Sequence, residues 1–382
     1  MSSGRDTPPR SRARRLGTGL VVVAVAAGLL WTTRDPAPDG VPPDDDAAAT
    51  APAALPTVQT TAPFQQAPAK ESESRLALAP SVLPQRFDPL TAGGQPPRSM
   101  VALIQRADDA GAPVLVVDDG GRVSRLPVTL GPVRDSTGPR SPLGTRSLAP
   151  SGTRAAFPQD GFVRVFYLRG GVEGHRLPGS NNEVAWNGGD SVAVASDAGT
   201  SSIQVRTAEG LSGAVTALRD PLRDTAFGEE GAVHLSPPLG GGLLERAPAA
   251  FSQSFGSREV KRVLPVVRRW YGAGHVGGRL VARSAVIDTP FTAPSSSGVF
   301  VLDVLTGEVV KALRFDGPGR TPLCCEVVGW TGDSSLVVTS RGAGGAFSLL
   351  LWDLGSGSVR RLMDSPVPLV VSLASEAALL TD

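Results

Sequence analysis

Cys324 and Cys325 are the only cysteines of this 382-residue chain, and they stand side by side in Thr-Pro-Leu-Cys-Cys-Glu. In an oxidising compartment such a pair can close a vicinal disulfide. Left reduced, the two are thiols on a strand, pointing to opposite faces. The three histidines, His175, His234 and His275, lie in different segments, with no His-x-x-x-His and no carboxylate at metal-ligand spacing. They read as surface or turn histidines, and the spacing assigns no metal. No Gly-x-Ser-x-Gly nucleophile elbow and no Walker-type phosphate loop occur. Gly272-Ala-Gly274-His-Val-Gly277 has the letters of a dinucleotide fingerprint. The apolar residues after it read as a strand, where a pyrophosphate site needs a helix, so this run is expected to be a turn. Gly240-Gly-Gly242, after Pro237-Pro-Leu239, is expected to be a loop. The motifs therefore assign no catalytic residue and no cofactor.

Arg258, Lys261, Arg262, Arg268 and Arg269, with Trp270 beside them, are the one basic stretch beyond the N-terminus. They can meet an anionic wall polymer or lipid headgroups. Val260, Val263, Val266 and Val267 are interspersed with them, as in half-exposed strands that need no ligand. The formal net charge is +1, but five Arg and one Asp lie in residues 1–15 and Arg34 follows soon after. Of 37 basic and 36 acidic residues, 31 and 35 remain once those are set aside. The rest of the chain is mildly acidic, which argues against nucleic acid as a partner. The Arg to Lys imbalance, with only Lys70, Lys261 and Lys311, is what a GC-rich, actinobacterial coding bias produces.

The elements that must position these residues are short. After Arg98, runs rich in Val, Leu and Phe are broken every eight to twelve residues by Gly, Asp, Ser or Pro, an all-β signature. One unit recurs as strand, tight turn, strand: Val184-Ala-Trp186-Asn-Gly-Gly-Asp-Ser-Val192-Ala-Val194 matches Val328-Gly-Trp330-Thr-Gly-Asp-Ser-Ser-Leu336-Val-Val338. Weaker copies begin near Leu148, Ala226, Gly272 and Ser372. A second unit runs an alternating strand into a glycine turn, as in Val301-Leu-Asp303-Val304-Leu-Thr-Gly307 and Leu351-Trp-Asp353-Leu354-Gly-Ser-Gly357. Further copies of the second unit end at Gly120, Gly171 and Gly210. Trp186, Trp330 and Trp352 fall at or near equivalent repeat positions and read as core.

These units, above all Leu148-Ala-Pro-Ser-Gly152 and Asp303-Val-Leu-Thr-Gly307, resemble the repeats of WD-repeat-like and TolB-like β-propellers over about residues 100–382. The Gly-His and Trp-Asp pairs of strict WD repeats do not recur blade by blade. The resemblance implies an all-β propeller; six copies of the first unit predict six blades, or seven if Leu83 to Pro97 contributes strands. The C-terminal run Leu369-Val-Val-Ser-Leu373 is expected to pair with Val101 to Gln105 and Val114 to Asp118, closing the ring and removing open edges.

At the other end, Arg10, Arg12, Arg14 and Arg15 precede an uncharged run from Leu16 to Thr33. Its 18 residues make a helix of roughly 27 Å, enough to cross a hydrocarbon core. The Arg cluster predicts a cytoplasmic N-terminus, and Trp31 sits where an interfacial aromatic belongs. Ala24-Val-Ala26 also has the form of a signal-peptidase site, which would leave a secreted protein instead. Residues 34–97 hold 13 Pro and 13 Ala, with little apolar periodicity, and read as a disordered linker whose last third can dock on the domain through Leu76, Leu78, Leu83 and Phe87.

The expected organisation is a cytoplasmic basic tail (1–15), a transmembrane helix (16–33), an extracytoplasmic linker (34–97) and a propeller (98–382). The expected role is a non-enzymatic binding or scaffold module. Its partners are the lipid bilayer, through the helix, and a protein, peptide or cell-wall ligand, with no nucleic acid. The rival is an exported hydrolase or lyase whose carboxylates converge on the channel mouth.

Overall fold

The computed structural model describes residues 65–67, 72–73, 88–90, 97–135, 138–187, 190–197, 199–204, 215–218, 225–228, 231–234, 249–255, 258–264, 267–287, 296–315, 325–342 and 346–375. The expected membrane span, Leu16 to Thr33, lies outside them.

All regular structure among these residues is β. Apolar side chains on both faces of most central strands bury them completely: Val192, Ala193, Val194, Val299, Phe300, Val301, Leu349 and Leu350 have no exposed surface. Each such strand faces a sheet on either side, so continuous Val and Leu runs take the place of strict alternation.

Consecutive strands pair antiparallel into successive sheets. Val267–Gly277, Leu280–Ile287, Ser296–Asp303 and Val309–Phe315 form one; Val327–Thr331, Ser335–Arg341, Phe347–Asp353 and Val359–Ser365 form the next. Thr225–Gly228, Gly231–His234, Ala249–Phe255 and Arg258–Leu264 make a third. Arg154–Tyr167 and Gly171–Asn187 are long because each serves two neighbourhoods. The first half of Gly171–Asn187 pairs with Phe162 to Tyr167, and its second half pairs with Ser191–Ser196.

The repeats seen in the sequence occupy equivalent places. Trp186 lies opposite Val192 in one hairpin, and Trp330 lies opposite Leu336 in the other. The turn at the end of the second unit is held by its aspartate. Asp303 Oδ1 accepts from the backbone N–H groups of Leu305 and Thr306, at 2.8 and 3.0 Å, and Gly307 follows with φ 69°. Asp353 accepts from Ser356 before Gly357 (φ 74°), and Asp118 accepts from Gly120 before Gly121 (φ 74°). These are Asx turns with a glycine in the left-handed region.

The first strands of successive sheets neighbour one another in order: Gly171–Asn187 beside Thr225–Gly228, then Val267–Gly277, then Val327–Thr331, then Leu369–Leu373. Leu369–Leu373 completes the circle. It pairs antiparallel with Met100–Arg106, matching Leu369 to Arg106 and Leu373 to Ala102, and Leu115–Asp118 and Val123–Arg125 follow. Ser372 then reaches the next sheet, its hydroxyl donating to Thr145 O at 3.0 Å and accepting from Leu148 N–H at 2.9 Å. A circle of sheets, each with its first strand inward and closed by the last of the described strands pairing with Met100–Arg106, is a β-propeller.

The segment before residue 98 also contributes strands. Gln65–Gln66 adds in parallel to Leu313 and Arg314, and Ser72–Glu73 adds in parallel to Arg360 and Arg361. Pro89 forms a parallel bridge with Arg125.

Candidate functional site

A propeller brings the ends of its inner strands together at the axis, and there the described residues enclose a cavity of about 620 Å³. Its wall comes from segments far apart in sequence: Arg140 to Thr145, Asn182 to Val184, Arg269 to Ala273, Glu326 and Val370. A second, smaller hollow, lined by Arg146, Trp186, His275, Trp330 and Leu373, lies further along the same inner strands.

Between the two hollows sits an ionic layer. Arg146, its side chain only 7% exposed, donates to Glu183 Oε1 at 3.0 Å. Glu326 lies close enough to feel the charges of Glu183, Arg146 and Arg341. Burial pushes the Glu326 carboxyl above its ordinary range, and the negative charge of Glu183 adds to that; Arg341, a backbone N–H from Ala273 and Arg146 pull the other way. What surface Glu326 keeps opens on the cavity. Gly272 makes its place: a Cβ there would stand 2.9 Å from Glu326 Cγ and 3.0 Å from Oε1.

His275 lies half-buried on the far side of that layer, lining the smaller hollow. Burial drives its pKa down to about 3, and the nearby Arg146 charge adds to the effect, so the imidazole is neutral at ordinary pH. Its Nε2 is buried with no hydrogen-bond partner. Tyr271 is raised to about 12 by burial, against weaker opposing contacts with Ser297 and the Cys325 backbone. Arg283 is 2% exposed and donates from Nε to Gly272 O at 3.1 Å.

Several expectations change here. The Gly272 to Gly277 run is not a turn but part of the Val267–Gly277 strand. Its pairing with Leu280–Ile287 jumps from Tyr271–Ser284 to His275–Ala282, so Gly272, Ala273 and Gly274 form a bulge that aims backbone at the cavity. The turn comes after it, at Gly278 (φ 53°). His175 and His275 are not turn residues: both lie within strands, His175 buried and His275 half-buried. His234 lies on the Gly231–His234 strand.

Cys325 is 1% exposed, packs with Val327 and Trp330, and is disulfide-bonded. Cys324 lies outside the described residues. The tryptophans are core, as read, and two of them also tie sheet to sheet. Trp186 Nε1 donates to Ser147 O at 2.9 Å, and Trp330 Nε1 donates to His275 O at 3.0 Å. Of the basic stretch, Arg269 is exposed at the cavity while Trp270 is buried edge-to-face against Phe300. Gly240 to Gly242 lies outside the described residues. Among the described residues no group of three His, Cys, Asp or Glu could hold a metal ion.

No family model matches the chain, and no curated protein matches it. Solved structures do. The β-propeller domain of the Trilobed protease from Pyrococcus furiosus is 11% identical, with 71% of this chain and 97% of that one covered and a TM-score of 0.43. The acylaminoacyl peptidase of Pyrococcus horikoshii is 14% identical over 65% of this chain and 41% of that one, at a TM-score of 0.41. A putative TolB from Agrobacterium tumefaciens is 11% identical, covering 72% and 97%, at a TM-score of 0.38.

Proposed function

We propose that the chain is a non-enzymatic binding module, a six-bladed propeller held outside the membrane by the Leu16 to Thr33 helix, with its ligand site at the axial cavity. The observation that carries this reading is the cavity itself. It is a concave site of about 620 Å³ with a few convergent polar groups, Arg140, Ser141, Asn182, Arg269 and Glu326, on a rigid frame of inner strands. A short peptide or a wall fragment bearing both hydrogen-bonding and charged groups fits such a lining. The bilayer is the partner of the N-terminal helix, and cleavage at Ala24-Val-Ala26 would instead release the same module. In the same exported setting the bond of Cys325 is to Cys324, the only other cysteine.

The enzymatic reading is favoured by one feature, the coupling of Glu183 and Glu326 in one layer, because unlike carboxylates side by side are an acid and base arrangement. Against it, Glu183 is engaged by Arg146, and neutral His275 sits beyond that layer. The full chain, titrated with a peptide library and with soluble cell-wall fragments, is expected to bind one class without consuming it, and Arg269→Ala to weaken that binding at least several-fold. Turnover abolished by Glu326→Gln would establish the enzymatic reading instead.

A further inference from the structure

The described pieces of the segment before residue 98 sit on three consecutive sheets, in ring order and always on the outermost strand. Gln65–Gln66 lies along Leu313 and Arg314, and Ala67 N–H donates to Arg314 O at 2.9 Å. Ser72–Glu73 lies along Arg360 and Arg361 of the next sheet. On the closing sheet, Leu90 N–H donates to Arg125 O at 3.0 Å, and Arg125 N–H donates to Asp88 O at 2.8 Å. Met100–Arg106 is the next strand along the chain.

Side chains reinforce the first station. Gln65 pairs by its backbone with one sheet and by its side chain with the next: its amide donates to Gly357 O and accepts from Trp352 Nε1 at 3.2 Å. Gly357, with φ 74°, has the Gln65 amide 3.0 Å from where a Cβ would stand. Ala67 is 4% exposed and belongs to the same core as Trp352, and Leu90 is 4% exposed within the core of the closing sheet.

We infer that this segment is an outer belt that closes the ring a second time. The inner closure is the pairing of Leu369–Leu373 with Met100–Arg106. If that pairing alone held the ring, opening it would free the closing sheet from the sheet that ends at Ser365. The belt supplies a second covalent route between those two sheets, from Ser72–Glu73 on one outer edge to Asp88 to Leu90 on the other. It also pairs with part of the backbone of three outer strands, edges that otherwise invite pairing with another chain. Local opening of the inner closure then requires release of the outer one, so the two protect each other.

Hydrogen exchange on the full chain tests this, comparing wild type with a variant whose residues 60–74 are replaced by Gly and Ser at equal length, and with the milder Gln65→Ala. Expected is exchange about tenfold faster at 369–373 and 100–106, as well as at 309–315 and 359–365, in the replacement, with a smaller rise of the same pattern in Gln65→Ala. Faster exchange confined to 309–315 and 359–365, or no change, would overturn the inference. Should the replacement fail to fold, the pattern in Gln65→Ala decides alone.

Discussion

An imidazole whose Nε2 is buried without a hydrogen-bond partner, set beside an arginine, is an unusual thing for a fold to keep, and it has a consequence in acid. His275 in the folded chain has a pKa near 3, while in the unfolded chain it has the ordinary value of about 6.5. Above pH 6.5 the group is neutral in both states and costs nothing. Below that, the unfolded chain binds a proton that the folded chain refuses, so stability falls as the pH drops from 6.5 towards 3, by up to about 1.4 kcal/mol per pH unit. Glu326, in the neighbouring ionic layer, acts with the opposite sign. Raised mainly by burial, it is relieved on protonation, while Arg146 is paired with Glu183 at 3.0 Å. Denaturant midpoints measured between pH 7 and pH 4 should therefore fall in the native chain, and the fall should flatten in His275→Gln. An identical slope in the two proteins would mean that His275 does not carry the effect.

Single elements show how a glycine's neighbourhood decides its cost. Gly152 and Gly171 both close hairpins with positive φ, 67° and 82°, so alanine at either is strained by about 1–2 kcal/mol. At Gly171 a Cβ would meet nothing within 4 Å, whereas at Gly152 it would stand 2.2 Å from Met100 O, a backbone atom of the closing sheet. Gly152→Ala should thus destabilise the chain by about 3 kcal/mol or more and Gly171→Ala by about 1 kcal/mol; equal shifts in denaturant midpoint would contradict the packing at Gly152. The contrast also marks what the sequence could reveal. The hairpins around Trp186 and Trp330 and the Asp303 and Asp353 turns were legible because strand, turn residue and aspartate are neighbours in the chain. The closing pair was legible too, because closing a ring of sheets gives the apolar run Leu369–Leu373 a partner in Met100–Arg106. The belt was not, since a Pro and Ala-rich segment carries no strand periodicity and its hydrogen bonds come from partners some 240 to 290 residues away. The cavity was equally hidden: Arg140, Glu183, Arg269 and Glu326 belong to separate repeats, and only ring closure makes them neighbours.

For the molecule as a whole, stability depends on one strand bearing contacts in two directions. Leu369–Leu373 pairs with Met100–Arg106 along its length, and Ser372, fully buried, turns its hydroxyl sideways to the next sheet. That hydroxyl both donates to Thr145 O and accepts from Leu148 N–H, so alanine there leaves a half-buried carbonyl and a buried amide without that partner. Leaving buried backbone groups unpaired costs about 1–3 kcal/mol each at most, and here both lie on the seam between the closing sheet and its successor. Ser372→Ala should lower stability by about 2 kcal/mol or more. Ser348→Ala is the matched control, because Ser348 also bonds through its hydroxyl, to Asp364 at 2.6 Å, but does so in solvent; its loss should cost under about 0.5 kcal/mol. The two differ in kind as well as in size. Loosening the seam lets the ring open before it unfolds, so Ser372→Ala should also lower the denaturant slope and broaden the transition, while Ser348→Ala should leave the slope unchanged. Equal midpoints and equal slopes for the two variants would show that the ring does not depend on this seam.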